Sequence, residues 1–209
     1  MNKTKIEWCD YTWNPVIGCK RGCSYCYARK MNDRFHFISK WDEPELIIDR
    51  LKNPRMPKKP SRIFVGSMSD ICYWHDFWVL DVLKIINEYP QHTFIFLTKD
   101  SLAYDRHKFP SNCWLGVSDI GDGNPTKTFY TYQDNKFVSF EPLLSRPEHT
   151  FRFYVNHGIK WVIVGGLTPM NKHKKEWVDE IITWCRAALI PIFLKPNLHY
   201  PEKIQEFPK

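Results

Sequence analysis

Short apolar runs alternate with longer amphipathic segments along the chain. Arg62–Gly66, Thr93–Leu97, Cys113–Val117, Phe137–Phe140, Trp161–Val164 and Ile190–Leu194 are rich in β-branched and aromatic residues and apolar on both faces. That is the pattern of buried strands. An earlier strand over Trp13–Ile17 is weakened by Pro15, which has no N–H for a ladder. Apolar positions at helical spacing predict helices over Asp76–Glu88 (Phe77, Leu80, Val82, Leu83, Ile86) and Lys172–Ala188 (Trp177, Ile181, Trp184, Cys185). Shorter helices are expected over Tyr25–Asp33, Glu43–Lys52 and, more weakly, Asp100–Lys108.

Strand–helix–strand alternation means a parallel sheet with helical crossovers. The expected fold is α/β: a partial or near-closed (β/α) barrel of about six to seven parallel strands, with a doubly wound open sheet as the alternative. One domain over residues 1–195 and a polar tail over 196–209 are expected. In either architecture ligands sit at the carboxyl ends of the strands. The residues there are Ser67-Met68-Ser69-Asp70, Thr98-Lys99, Ser118-Asp119, Glu141-Pro142, Gly165-Gly166 and Lys195-Pro196. Polar turns follow many strands, but six such ends, several bearing carboxylates beside apolar strands, point to a site.

Composition narrows the classes. Apolar residues make up 43% and charged residues 25% of the 209, which excludes a wholly disordered or collagen-like chain. No apolar run approaches the roughly 18 residues of a membrane span, and the N-terminus has no apolar signal region. No membrane partner and a cytoplasmic location are therefore expected. Net charge of +7 and 16% aromatics suit an anionic partner such as nucleic acid, although core-filling rings and a solubilising charge explain them equally. Seven cysteines, an odd number without an export signal, read as free thiols in a reducing compartment.

Three of those cysteines lie in Gly18-Cys19-Lys20-Arg21-Gly22-Cys23-Ser24-Tyr25-Cys26-Tyr27-Ala28, a C-x3-C-x2-C run. Three thiolates so close can wrap one small metal centre, with Gly18 and Gly22 permitting tight turns. Structural zinc wants four ligands, usually in two separated pairs, and no matching pair occurs elsewhere. A four-iron cubane held by three cysteines keeps one iron open for a substrate or cofactor, and is favoured over zinc or unligated thiols. Lys20, Arg21 and Arg29 are expected to lower the thiol pKa values. Cys9, Cys72, Cys113 and Cys185 are too widely spaced for a second cluster and read as buried structural thiols, and a Cys72–His75 metal pair lacks further ligands. Trp74–Trp78 reads as a capped helix start with Asp76 near its N-terminus, or else as a base-stacking platform.

C-x3-C-x2-C with an aromatic before the third cysteine resembles the signature of the radical S-adenosylmethionine (radical SAM) superfamily. The chain resembles more specifically a phage- and prophage-associated family of radical-SAM-like proteins whose function is unassigned. The shared patterns are Thr4–Trp8, Thr12–Pro15, the cysteine loop, Val65–Asp70, Phe96–Lys99, Trp114–Ser118, Ser139–Leu144 and Trp161–Gly166. The resemblance implies a [4Fe–4S] cluster on Cys19, Cys23 and Cys26, with S-adenosylmethionine (SAM) on the fourth iron. It implies reductive cleavage of SAM to a 5′-deoxyadenosyl radical that abstracts hydrogen from a substrate, and an electron donor such as flavodoxin or ferredoxin. Tyr25 matches the aromatic position near the adenine, and Asp70 stands where the superfamily often has Gly-Gly-Glu for the SAM amine. Ser67, Ser69, Thr98, Lys99, Ser118, Glu141 and Gly165 end strands where ribose, carboxylate or substrate would be met, with Lys99 suited to the methionyl carboxylate. Lys99 and Glu141 are the candidate catalytic groups. There are departures: the Gly-Gly-Glu motif is absent, and Gly165-Gly166 is followed by Leu167-Thr168-Pro169 where the close family often has Glu. The expected activity is therefore a radical SAM enzyme, with nucleic acid or a nucleotide as the leading substrate class. The alternative is a nucleic-acid-binding protein with a structural or redox-sensing iron–sulfur cluster.

Overall fold

The computed structural model describes residues 1–122, 133–168 and 172–208. The chain divides into two compact units: Met1–Thr98 with Arg106–Trp114, and Lys99–Asp105 with Leu115–Lys209. Strand pairing is mostly parallel in both and helices intervene, so the fold is mixed α/β, as the alternation predicts.

In chain order the first unit carries β1 (Asn2–Lys3), β2 (Tyr11–Trp13), β3 (Val16–Ile17), α1 (Tyr27–Phe35), β4 (Glu45–Leu46), α2 (Ile48–Lys52), β5 (Arg62–Val65), α3 (Asp76–Asn87) and β6 (Thr93–Thr98). The order β1-β2-β5-β6 is antiparallel at its first pair and parallel after it, with Trp13 opposite Val65 and Val65 opposite Phe96. β3 and β4 form a separate antiparallel pair. The single strand expected over Trp13–Ile17 is thus two. Pro15 cannot donate to a ladder, and the chain turns there while the Pro15 carbonyl accepts from Ile47 N–H at 2.7 Å. The same pairing consumes Glu45–Leu46 and shortens the helix expected over Glu43–Lys52 to α2. α3 starts at its predicted residue and buries Val79, Val82, Leu83 and Ile86, whereas Phe77 and Leu80, expected on the same apolar face, are 61% and 56% exposed.

In the second unit lie α4 (Leu102–Asp105), most of β7 (Cys113–Asp119), β8 (Lys136–Phe140), α5 (Glu148–Asn156), β9 (Trp161–Val164), α6 (Lys175–Ala187) and β10 (Ile192–Leu194). The order β7-β8-β9-β10 is parallel throughout. All four residues of β9 and all three of β10 are buried, which explains runs apolar on both faces. Gly116 is required by packing, since a Cβ there would sit 2.1 Å from the Phe137 ring. The helix expected over Asp100–Lys108 is a single turn. α5 escapes the sequence pattern because only three of its nine residues are buried, Phe151, Tyr154 and the polar Thr150.

The segment after residue 195 is docked rather than loose. Leu194 N–H donates to Ile204 O at 2.8 Å and Glu206 N–H to Ile192 O at 3.0 Å. Phe207 packs on Phe193 and Trp161, and Glu206 pairs with Arg186 at 2.7 Å. Pro169 lies outside the described residues. Among the described residues, no helix is long and apolar enough to cross a membrane.

Candidate functional site

The cysteine loop runs from β3 into α1 and rests on a small apolar cluster. Ile17, Ala28, Ile38, Trp41 and Met68 are buried there, with Cys19 and Cys26 packed against them. Backbone bonds hold both ends of the loop's first turn: Gly18 N–H donates to Met68 O at 3.0 Å and Cys19 N–H to Trp41 O at 2.8 Å. Its two glycines serve different needs. Gly18 has φ +103°, and a Cβ would come within 2.9 Å of Pro44 and Trp41 backbone, so both conformation and space exclude a side chain. Gly22 has φ +70° with nothing within 4 Å of a Cβ, so only its backbone conformation demands glycine.

Cys19, Cys23 and Cys26 are half-buried free thiols, without disulfides. Cys26 is the N-cap of α1, its Sγ accepting from Arg29 N–H at 3.4 Å. The Cys19 thiol is pushed up to about 11, mainly by burial, with the charges of Asp70, Cys26 and Cys23 adding to it against the Arg21 backbone N–H. The expected lowering by neighbouring cations is corrected here. The Arg21 guanidinium turns away to Asp70 Oδ2 (3.8 Å) and Cys72 Sγ (3.6 Å) and covers the Tyr73 ring. At Cys19 burial therefore prevails. Burial, with the Cys23 thiol beside it, likewise pushes the Tyr25 phenol up to about 12.

The loop suits a polynuclear metal centre chemically: three soft thiols come from one short turn, backed by apolar side chains and flanked by cations. Bound metal deprotonates thiols outright and removes the repulsion that raises Cys19. Among the described residues, no three His, Cys, Asp or Glu side chains converge on one point as a single ion requires. A cubane, in which each thiolate bonds a different iron, does not ask for that convergence.

The other candidates in the first unit form one hydrogen-bonded set past β5. Asp70 is buried; its Oδ1 accepts from Thr98 Oγ1 at 2.5 Å and from Cys72 N–H at 3.2 Å. With Arg21 on Oδ2, Asp70 ties the cysteine loop to the ends of β5 and β6. Ser67 Oγ donates to Asn14 Oδ1 at 3.1 Å, and its carbonyl accepts from Tyr27 Oη at 2.6 Å. Ser69 Oγ accepts from Trp74 Nε1 at 3.0 Å, and Ser69 bridges to Gly18. Trp74 is buried, and His75 rather than Asp76 is the N-cap residue of α3. Asp76 sits in the first turn and pairs with Arg106 and His107. His75 stacks on Phe77 while Cys72 faces Arg21, so these two do not act as a pair.

The second unit gathers its own set. Lys99 Nζ donates to Ser118 Oγ at 2.6 Å, and Ser118 Oγ donates to Glu141 O at 3.1 Å. The Glu141 carboxylate forms an ion pair with Lys195. Gly165 lies against it; a Cβ there would be 3.0 Å from Glu141 Cδ. Lys195 stands at the last of the six strand ends that the sequence points to, but no local feature assigns it a role or a partner there. Asp119 turns inward instead. Tyr154 Oη and Gly121 N–H each donate to it at 2.6 Å, and burial raises its pKa against those bonds. Cys9, Cys113 and Cys185 are buried, as expected of structural thiols, whereas Cys72, expected among them, is half-buried because it faces the Arg21 guanidinium.

Loop and strand ends together define a mixed α/β protein with a three-thiol turn entering its first helix and polar, charged residues after several parallel strands. Residues 3–206 match the family described as Protein of unknown function (DUF5131), and the chain belongs to that family. A 74-residue stretch is 36% identical to the uncharacterized protein MJ0683 of Methanocaldococcus jannaschii, covering 34% of this chain and 27% of the archaeal protein. No solved structure matches the chain.

Proposed function

We propose that this protein is a radical SAM enzyme built on a near-closed (β/α) barrel. The observation that carries the reading is the cysteine loop: three free thiols within eight residues, at the entrance to α1, on an apolar bed, with conformationally required glycines just before the first and the second. Cys19, Cys23 and Cys26 would hold a [4Fe–4S] cluster. When bound, cluster and SAM supply reductive cleavage to a 5′-deoxyadenosyl radical and hydrogen abstraction from the substrate.

The chain's own residues hold and orient. Asp70, braced by Thr98 and Cys72 N–H, anchors Arg21 and so positions the loop. Two hydrogen bonds on Oδ1 and the Arg21 ion pair on Oδ2 engage both of its oxygens, which favours loop positioning over the SAM amine as its task. Lys99, on Ser118, and Lys195, on Glu141, supply two ammonium groups at strand ends, suited to a carboxylate or phosphate. The nucleic-acid or nucleotide substrate rests on the net charge of +7 and belongs to the same proposal.

The test is 5′-deoxyadenosine release from SAM by protein reconstituted anaerobically with iron and sulfide and reduced with dithionite, beside Cys26→Ala. Release by the native chain and none by the variant is expected. A native chain that binds iron and acid-labile sulfide yet neither binds SAM nor releases 5′-deoxyadenosine refutes the reading.

A further inference from the structure

Helix α1 buries little of itself. Of its nine residues only Ala28 and Asn32 are buried. Tyr27, Met31 and Phe35, at i, i+4 and i+8, form one line along the helix and are 52%, 38% and 54% exposed. Phe37 continues it, 39% exposed, with its ring 5.8 Å from that of Phe35. Arg29, Lys30 and Arg34 are exposed on the same helix, against one acidic residue, Asp33, and Arg34 covers the Phe35 ring at 5.0 Å. A contiguous apolar line rimmed by one sign of charge marks an interaction surface.

Its position indicates what docks there. The line begins at Tyr27, the residue after Cys26, whose Sγ faces the first turn of α1. At 1.5 Å per residue Phe35 lies only about 12 Å further along the axis. A partner seated on α1 therefore lies beside the thiol loop. A methionine–aromatic centre with a cationic rim matches a protein bearing an acidic rim around an apolar patch, because charge steers encounter and Met adapts to transient partners. Small interfaces of this type are those of weak redox encounters. Single-stranded nucleic acid fits less well: Met31 offers no stacking plane, and Phe35 is already engaged by Arg34 and Phe37.

We infer that the exposed face of α1 is the docking surface for an acidic one-electron donor protein. The inference rests on the radical SAM reading. In the encounter one electron leaves the donor, oxidising it, and is taken up at the centre held by the three thiols; no atom passes between the proteins.

The experiment uses the reconstituted full chain and an acidic flavodoxin as probe. Binding is measured by calorimetry at low and moderate salt for the native chain, Lys30→Glu/Arg34→Glu and Met31→Ala/Phe35→Ala. These positions are exposed, so circular dichroism should show unchanged folding. The expected result is native binding that weakens with salt and falls at least tenfold in both variants. Flavodoxin-driven 5′-deoxyadenosine formation should fall in step, while dithionite-driven formation stays within twofold of native. Equal affinity in native and variant chains, or no native binding, overturns the inference, as does displacement of flavodoxin from this face by a single-stranded oligonucleotide of higher affinity. Absence of both SAM binding and dithionite-driven SAM cleavage in the native chain refutes the catalytic reading instead, and the binding titration still decides whether α1 docks an acidic protein.

Discussion

In the first unit, the sulfurs of Cys19, Cys23 and Cys26 meet the Arg21 N–H, the Tyr25 phenol and the Arg29 N–H, while the backbone around them is tightly held. In the second, Glu141 has Lys195, Ser118 has Lys99, and Asp119 has Tyr154 and Gly121. The first arrangement fixes the frame and leaves soft ligands available. The second satisfies its charges within the protein, because a carboxylate taken from water without a partner is costly. A ligand approaching Glu141 or Ser118 must compete with an ion pair or a lysine bond already made. On the proposed reading the loop receives a cofactor, and the strand-end set holds its shape until something of matching charge replaces one of its members.

The sharpest way to break this comparison is to remove one thiol. On the proposed reading, Cys19→Ala should lose nearly all bound iron and sulfide on reconstitution, with little change in thermal stability, because Cys19 is only half-buried. Iron and sulfide analysis beside calorimetric unfolding checks this, and retention of native iron content would show that the loop is not the metal site. Gly18→Ala is next. Overpacking against fixed backbone at a positive φ should cost about 3 kcal/mol, whereas Gly22→Ala, which meets no atoms, should cost about 1 kcal/mol. Urea unfolding of the two variants compares them directly, and equal losses would mean that the loop entry is not braced as described.

On the other side of the comparison, Lys195→Met leaves the Glu141 carboxylate part-buried without its partner. A loss of about 2 kcal/mol is expected, smaller than for a fully buried pair because both side chains retain some solvent. Adding Glu141→Gln should recover most of it, and a double variant as unstable as the single would remove the ion pair as the cause. The smallest effect is expected at Asp119. Burial raises this carboxyl above the ordinary value near 3.9, so the folded chain holds a proton that the unfolded chain has already lost. Its contribution to stability therefore falls as pH rises from about 4 through the raised value. Tyr154→Phe removes a donor to the ionised form and raises that value further. The variant should lose about 1 kcal/mol near neutral pH and less near pH 4. Urea unfolding across that range measures it; a loss independent of pH would assign the effect to packing of the Tyr154 ring.

Much of the frame was legible from local pattern. Trp161–Val164 is a strand with the predicted bounds, and α3 ends one residue short of its predicted limit, because buried apolar runs and helical periodicity persist whatever their neighbours. Tertiary partners overrode the rest: β4 interrupts a helical pattern because β3 lies beside it, and α5 forms with only a thin apolar face. In the site, the three-thiol loop was legible, since its cysteines are neighbours in sequence. Lys195 with Glu141, and Arg21 with Asp70, were not announced, for each pair is separated by about fifty residues and meets only when strands align.

What the sequence by itself determined is the alternation of strand and helix, the three-thiol turn with its two glycines, and the positive charge; all are carried by residues close together in the chain. What only the tertiary structure decided is which charges face one another. It turned Asp119 inward to Tyr154, set Asp70 as the brace of Arg21 and left the apolar line of α1 in solvent. Hydrogen bonds and ion pairs act over a few ångströms in space, and no local pattern records which distant residues the folded chain will place within that reach.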